Sequence, residues 1–299
     1  MKENLKKVVF SQPWGGLGDN LCSTNLPRLY NEINCKFYIS YLNYSRNKDI
    51  HDICWNNNEF VLKSKKFYPN IGFKKLEEKG YKIFDDKYNV VQNVNVTHGF
   101  APGEGYPEIN IQKYVEYLNI KNYDTVIDTK AYSIYSDTDY RYSSKSLNEK
   151  INYYRTKDSF DLIYPHLYQK QFLENDVLEV SNLSDLINIL LNTKNFICLN
   201  SGSHVLAATL NYFTGFPKNI YSFNNVRHFD AIIKNNSILN KQGLFYFENV
   251  NYENIEIIEN KSKRREYDNQ VKIDKTMRKN INIHRRLFYY EKRIKELIS

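Results

Sequence analysis

The stretch Trp14-Gly15-Gly16-Leu17-Gly18-Asp19-Asn20-Leu21 follows the apolar run Val8-Val9-Phe10 and precedes a segment with helical spacing. Three glycines, an acid and an amide therefore stand where a strand turns into a helix. Residues 6–10 read as a short buried strand, stopped by Ser11-Gln12-Pro13. After the loop, Leu21, Cys22, Leu26, Leu29, Tyr30 and Ile33 recur at helical spacing. Asn20 is a candidate cap for that helix. Pro27 allows two readings: an irregular first turn, or a regular helix that begins at the proline. Phe37-Tyr38-Ile39-Ser40 predicts a second strand. This strand–loop–helix–strand unit opens a doubly wound α/β sheet.

A second unit of the same logic lies far down the chain. Phe196-Ile197-Cys198-Leu199 predicts a buried strand, and Asn200-Ser201-Gly202-Ser203-His204 follows it directly. The small-residue helix Val205-Leu206-Ala207-Ala208-Thr209-Leu210 comes next. Before it, Val177–Val180 reads as a strand, and Leu183, Leu186, Ile187, Leu190 and Leu191 form a helical stripe capped by Ser181 or Asn182. Further strands are expected at 81–84, 90–96, 125–129, 161–164, 220–223 and 244–247. Short helices are expected at 74–80 and 109–119, the latter with Ile111, Val115 and Leu118 on one face. Residues 97–107 are too rich in Gly and Pro for regular structure, and loops of this kind often carry ligand contacts. Residues 133–160 are Tyr- and Ser-rich and give no firm assignment. The boundaries that follow are 1–122, 123–260 and a basic helical tail at 261–299.

Composition narrows the class. The chain has 299 residues, 25% charged and 41% hydrophobic, with 26 Tyr and 17 Phe. That many aromatics argues for a packed core and against disorder. The net charge is +8, and much of the excess lies in the tail, among it Lys261, Lys263, Arg264, Arg265, Arg285 and Arg286. Such a tail suits anionic partners, or is simply a solvated helix face. Cys22, Cys35, Cys54 and Cys198 show no paired spacing, so neither a zinc site nor a disulfide framework is expected. Reduced thiols favour a cytoplasmic setting. No apolar run approaches the roughly 20 residues that span a bilayer, and no signal peptide is evident.

The chemistry lies in the two loops. Gly16-Leu17-Gly18 lacks the third glycine of a dinucleotide fingerprint, and no Gly-Lys-Ser/Thr follows for a P-loop. Asp19 reads either as an acid at a helix start or as a general base for a hydroxyl. Asn200, Ser201, Gly202, Ser203 and His204 at a helix start suit a diphosphate, or form an ordinary capped turn. His98 and Glu104, in and beside the glycine-rich loop, are weaker candidates for substrate contact. There is no GxSxG elbow, no HExxH and no clear pair of acids for a metal.

Taken together, Gly18-Asp19-Asn20-Leu21-Cys22-Ser23-Thr24-Asn25-Leu26-Pro27 and Asn200-Ser201-Gly202-Ser203-His204-Val205-Leu206-Ala207-Ala208 resemble glycosyltransferases of the GT-B fold. Within these they resemble the heptosyltransferase-like group, glycosyltransferase family 9. Asn200 stands where that family has an acid, and His204 falls one place before the family's histidine. Thr129-Lys130 is the nearest counterpart of its lysine-containing phosphate motif. The resemblance implies two Rossmann-like domains facing a central cleft, with a C-terminal helix (276–298 here) crossing back. It implies transfer of a sugar, without metal or other cofactor, from a nucleotide-diphosphate sugar to a hydroxyl of a glycan, lipid-linked or protein acceptor. Asp19 would be the base. Thr129, Lys130 and residues 200–204 would hold the donor; Gly16, Gly18, Asn20, His98 and Glu104 would lie on the acceptor side. The basic tail would allow peripheral membrane contact. Two rival readings are a non-catalytic sugar- or nucleotide-binding module on a decayed transferase fold, and a nucleic-acid-binding protein that uses the tail; nucleic acid is the less expected partner.

Overall fold

Among the described residues, nine strands, all parallel, fall into two sheets. The structure, a computed structural model, describes residues 6–10, 15–40, 43, 45, 47–62, 88–118, 120–129, 144–164, 176–225 and 246–255. Trp14, Lys130, the elements expected at 74–84 and the tail at 261–299 lie outside these residues.

The first sheet has the order β1-β2-β3. It comprises β1 (Lys6–Phe10), β2 (Cys35–Ile39) and the two-residue β3 (Val61–Leu62). Val8 pairs with Phe37, and Phe10 with Ile39. Between β1 and β2 the expected single helix is two: α1 (Leu17–Leu21) and α2 (Leu26–Glu32). Pro27 is the second residue of α2, where its missing N–H has no helical partner to lose. The cap of α1 is Gly16 and not Asn20, which lies buried inside the helix. A short α3 (Lys48–His51) runs into a π-turn at Asp52–Asn56, and together they bury Ile50, Ile53, Cys54 and Trp55.

Two expectations fail in the connecting segment. Residues 90–96 are not a strand; they belong to α4 (Val90–Thr97). Asn89 and Gln92 close a capping box at its start, and Val91 and Val94 take the buried face. Residues 111–117 form a 3-10 helix rather than an α-helix. Three residues per turn bring Ile111, Tyr114 and Tyr117 onto one side; these pack on the core, and so does Leu118, which with Ile111 was expected there.

The second sheet has the order β6-β5-β4-β7-β8-β9. Its strands are β4 (Tyr123–Asp128), β5 (Ser159–Ile163), β6 (Asp176–Glu179), β7 (Thr193–Leu199), β8 (Asn219–Asn225) and β9 (Asn251–Ile255). Helix α5 (Ser144–Tyr154) lies in the stretch the sequence left unassigned. Of the strand expected at 244–247, residues 246 and 247 are irregular and the other two lie outside the described residues; the last described strand, β9, uses the polar run Asn-Tyr-Glu-Asn-Ile. Helix α6 (Leu183–Leu191), capped by Asn182, buries Leu186, Ile187, Ile189, Leu190 and Leu191. Each such side chain contributes roughly 1.5–3 kcal/mol. Helix α7 (Gly202–Thr214) follows β7.

Counted from β4, the second sheet runs 3-2-1-4-5-6, the order of the dinucleotide-binding doubly wound sheet. The chain direction across the sheet reverses between β4 and β7. Ligands in such sheets bind outside the carboxyl ends of the strands at that reversal. In this chain those ends are Thr129 and Asn200. Buried side chains of both sheets form one continuous cluster, from Val8, Phe37 and Trp55 to Val126, Leu186 and Phe196.

Candidate functional site

The loop after β1 is held from below. Asn20 is fully buried, and its Nδ2 donates to the Gly16 carbonyl at 2.9 Å. Its Oδ1 accepts from Trp55 Nε1 at 2.9 Å and from Ser45 Oγ at 3.3 Å. Asn20 is therefore a brace and is removed from the acceptor-side residues. Gly18 is buried beside it. Asp19 is part-exposed. A Cβ on Gly16 would come within 2.5 Å of Asp19 Oδ2, so glycine at 16 leaves room for the carboxylate over the loop. The carboxylate also acts inward. Burial first, then Asp19, push the Cys22 thiol well above its ordinary range.

The loop after β7 groups polar atoms at a helix start. Ser201 caps α7 in extended backbone conformation, yet its side chain accepts from no backbone N–H of the helix. Its Oγ lies 2.8 Å from Ser203 Oγ instead. Asn200 is part-buried, and its Oδ1 is shielded from solvent with no hydrogen-bond partner. Thr129 is part-buried at the end of β4. His204 does not belong with them. It is fully buried, 2.8 Å from the Tyr252 hydroxyl, with Phe247 and Tyr252 edge-on to its ring. Burial lowers its pKa to about 3. A neutral ring sealed in the core cannot meet a diphosphate, so His204 leaves the donor-contact set.

The two loops meet. A Cβ on Gly202 would lie 2.8 Å from Leu17 Cβ and 3.0 Å from the Gly18 backbone N. The start of α7 thus rests on the start of α1, with only a hydrogen at position 202 to fit between them. Asp19 and the Ser201–Ser203 pair flank this contact in sequence, on its two sides.

The glycine-rich loop borders the same region. Asn89, Gln92 and Asn95, spaced three apart on α4, donate to the carbonyls of Gly105, Gly103 and Pro102 at 2.7, 3.0 and 2.9 Å. On its other side, Asn25 Nδ2 donates to the Tyr106 carbonyl, and the Glu108 N–H is held by Thr24 Oγ1 and Asn25 Oδ1. Tyr106 stacks on Tyr212 of α7 at 4.1 Å and on Phe247 at 5.6 Å. His98 is a further correction. It is 8% exposed, its Nδ1 lies 2.9 Å from the Tyr30 hydroxyl, and its ring packs by Phe10. It secures the core, while Glu104 is exposed in the loop.

Sequence reasoning missed Asp128 and Tyr164. Asp128 ends β4, 1% exposed, and accepts from the Tyr164 hydroxyl at 2.9 Å. Burial first, then this carboxylate, push Tyr164 and Cys198 well up. An acid closing the apolar strand that begins at Thr125 was the available signal.

Fold and loops together define a Rossmann-like α/β protein, similar in fold to a solved glycosyltransferase. One similar solved structure is TibC from enterotoxigenic E. coli H10407, described as an iron-containing dodecameric glycosyltransferase. The TM-score is 0.50 at 16% identity, over 74% of this chain and 58% of that one. A second, the heptosyltransferase TibC in complex with ADP-D-beta-D-heptose, has a TM-score of 0.48 at 17% identity, over 70% and 57%. The chain therefore spans less than three fifths of their length. No protein-family model matches the sequence, and no curated protein does. Among the described residues no three His, Cys, Asp or Glu side chains are placed to hold a metal ion, so they offer no site for an iron like TibC's. No helix among them is long and apolar enough to cross a membrane.

Proposed function

We propose that the chain is a heptosyltransferase-like GT-B glycosyltransferase, with Asp19 as its base. The observation that supports this is the contact at Gly202, which rests the start of α7 on Leu17 and Gly18, next in sequence to the part-exposed Asp19. An acceptor hydroxyl gives its proton to Asp19 as its oxygen attacks the anomeric carbon of the donor. The bond from that carbon to the diphosphate oxygen breaks, and the nucleotide diphosphate leaves with the electron pair. The negative charge that develops there meets Ser201, Ser203 and the N-terminus of α7, whose partial positive charge favours phosphate. The unpartnered Asn200 Oδ1 at the sheet's reversal point would accept a hydroxyl of the donor, with Thr129 and Lys130 alongside. Gly16, Gly18 and the loop carrying Glu104 border the acceptor. The basic tail serves an anionic acceptor or the surface of a membrane from the cytoplasmic side.

The test is binding followed by turnover. A panel of nucleotide-diphosphate sugars, ADP-heptose included, is screened for a rise in melting temperature. Asp19→Asn should keep the shift and lose at least about a hundredfold in kcat, the usual worth of a general base. If no nucleotide sugar shifts the intact chain, the reading falls. A shift without any turnover would make the chain a binding module.

A further inference from the structure

The histidine withdrawn from the donor contacts has partners that give it another task. The segment 247–252 lies along one face of α7. Tyr252 meets His204, and Asn249 Nδ2 donates to the Ala208 carbonyl at 2.8 Å and to Asn211 Oδ1 at 2.7 Å. Positions 204, 208 and 211 share a helix face. The same segment touches the acceptor-side loop, because Phe247 carries both Tyr106 and the His204 ring on it.

The hydrogen bonds assign the atoms. Tyr252 Oη accepts the Phe247 backbone N–H at 2.8 Å. A neutral imidazole carries one proton. The Tyr252 hydroxyl, already accepting from Phe247, keeps its own proton to donate to His204 Nε2. The ring proton is then on Nδ1, which is buried and makes no hydrogen bond among the described residues. His204 then ties strand β9 and the 247–250 turn to the turn of helix that begins at Ser201.

We propose that His204 is a positioning residue: bonded to Tyr252, it fixes the first turn of α7, the diphosphate-facing end, and links that turn to the acceptor-side loop through Phe247 and Tyr106. The reference to diphosphate rests on the function proposed above; the fixing of the helix start does not. Neither Tyr252 nor Phe247 touches substrate in this scheme. Their effect reaches the reaction through the placement of Ser201 and Ser203.

Three variants of the full chain test it: His204→Leu, which keeps bulk and loses both ring nitrogens; His204→Gln, which keeps an acceptor; and Tyr252→Phe. Amide hydrogen exchange over residues 202–206 should speed up about tenfold in His204→Leu and Tyr252→Phe, the factor of one buried hydrogen bond. The double variant should be no faster than either single one, and His204→Gln should restore most of the protection. Nitrogen-15 spectra of the intact protein should show His204 neutral, protonated on Nδ1. Binding of ADP and UDP should weaken about tenfold in the same two variants and recover in His204→Gln. Unchanged exchange in His204→Leu, additive effects, or a ring protonated on Nε2 would each overturn the proposal. Altered exchange in a protein that binds neither ADP nor UDP nor any nucleotide sugar would leave the positioning intact and remove the transferase reading.

Discussion

A histidine held neutral in the core makes stability depend on pH, and the sign is fixed. The folded pKa of His204 is about 3, against about 6.5 in an unfolded chain. Between those values the unfolded state binds a proton that the folded state refuses. Stability is therefore full above about pH 6.5 and falls as pH drops through that window. Going from pH 7 to pH 4, the wild type should lose about 3 kcal/mol more than His204→Gln. Urea midpoints of the two proteins across that range check it, since the carboxylates they share cancel in the difference. Residue by residue, the sequence told the two loops' chemistry unevenly. Gly18-Asp19 is legible because a glycine and an acid at a strand-to-helix turn have few uses. Asn20 is not, because its partners Trp55 and Ser45 lie tens of residues away and no local pattern announces them. His204 is hidden for the same reason: Tyr252 arrives from the last described strand.

Among the elements, α4 shows how a local signal can be outweighed in the reading and still prevail in the fold. Four valines and a threonine in Val90–Thr97 suggest a strand, since β-branched side chains favour one. The Asn89–Gln92 capping box decides otherwise, by satisfying donors that the first turn would leave bare. The same Asn89 also holds Gly105, whose φ of +81° suits glycine alone. Asn89→Ala should cost about 1 kcal/mol through the lost cap and should also loosen the loop that carries Tyr106. Urea unfolding gives the first effect, and faster proteolysis within residues 101–107 the second. Edge strand β9 was illegible because Asn-Tyr-Glu-Asn-Ile has little of the β-branched content that marks a strand; it is defined by its pairing with β8.

At the scale of the whole molecule, the alternation of apolar runs and helical stripes from 176 to 223 was enough to foresee a doubly wound sheet. Its reversal between β4 and β7 follows from pairing and could not be read locally. The meeting of α1 with α7 was equally out of reach, because a glycine's reason lies in its neighbour. Gly202→Ala would place a methyl 2.8 Å from Leu17 Cβ and 3.0 Å from a backbone nitrogen that cannot swing aside. Overpacking of this kind costs about 1–3 kcal/mol, which should appear as a melting temperature lower by several degrees. On the proposed mechanism the same variant should also lower kcat, because it would push the loop carrying Asp19 away from the start of α7.

The Gly202 contact is made by Leu17 Cβ and the Gly18 main chain against a missing side chain. It fixes a distance and prescribes no chemistry. On the proposed mechanism, the residues that flank it, Asn200, Ser201 and Ser203, would set which cargo is preferred, while the joint itself would hold the two loops together whatever that cargo is.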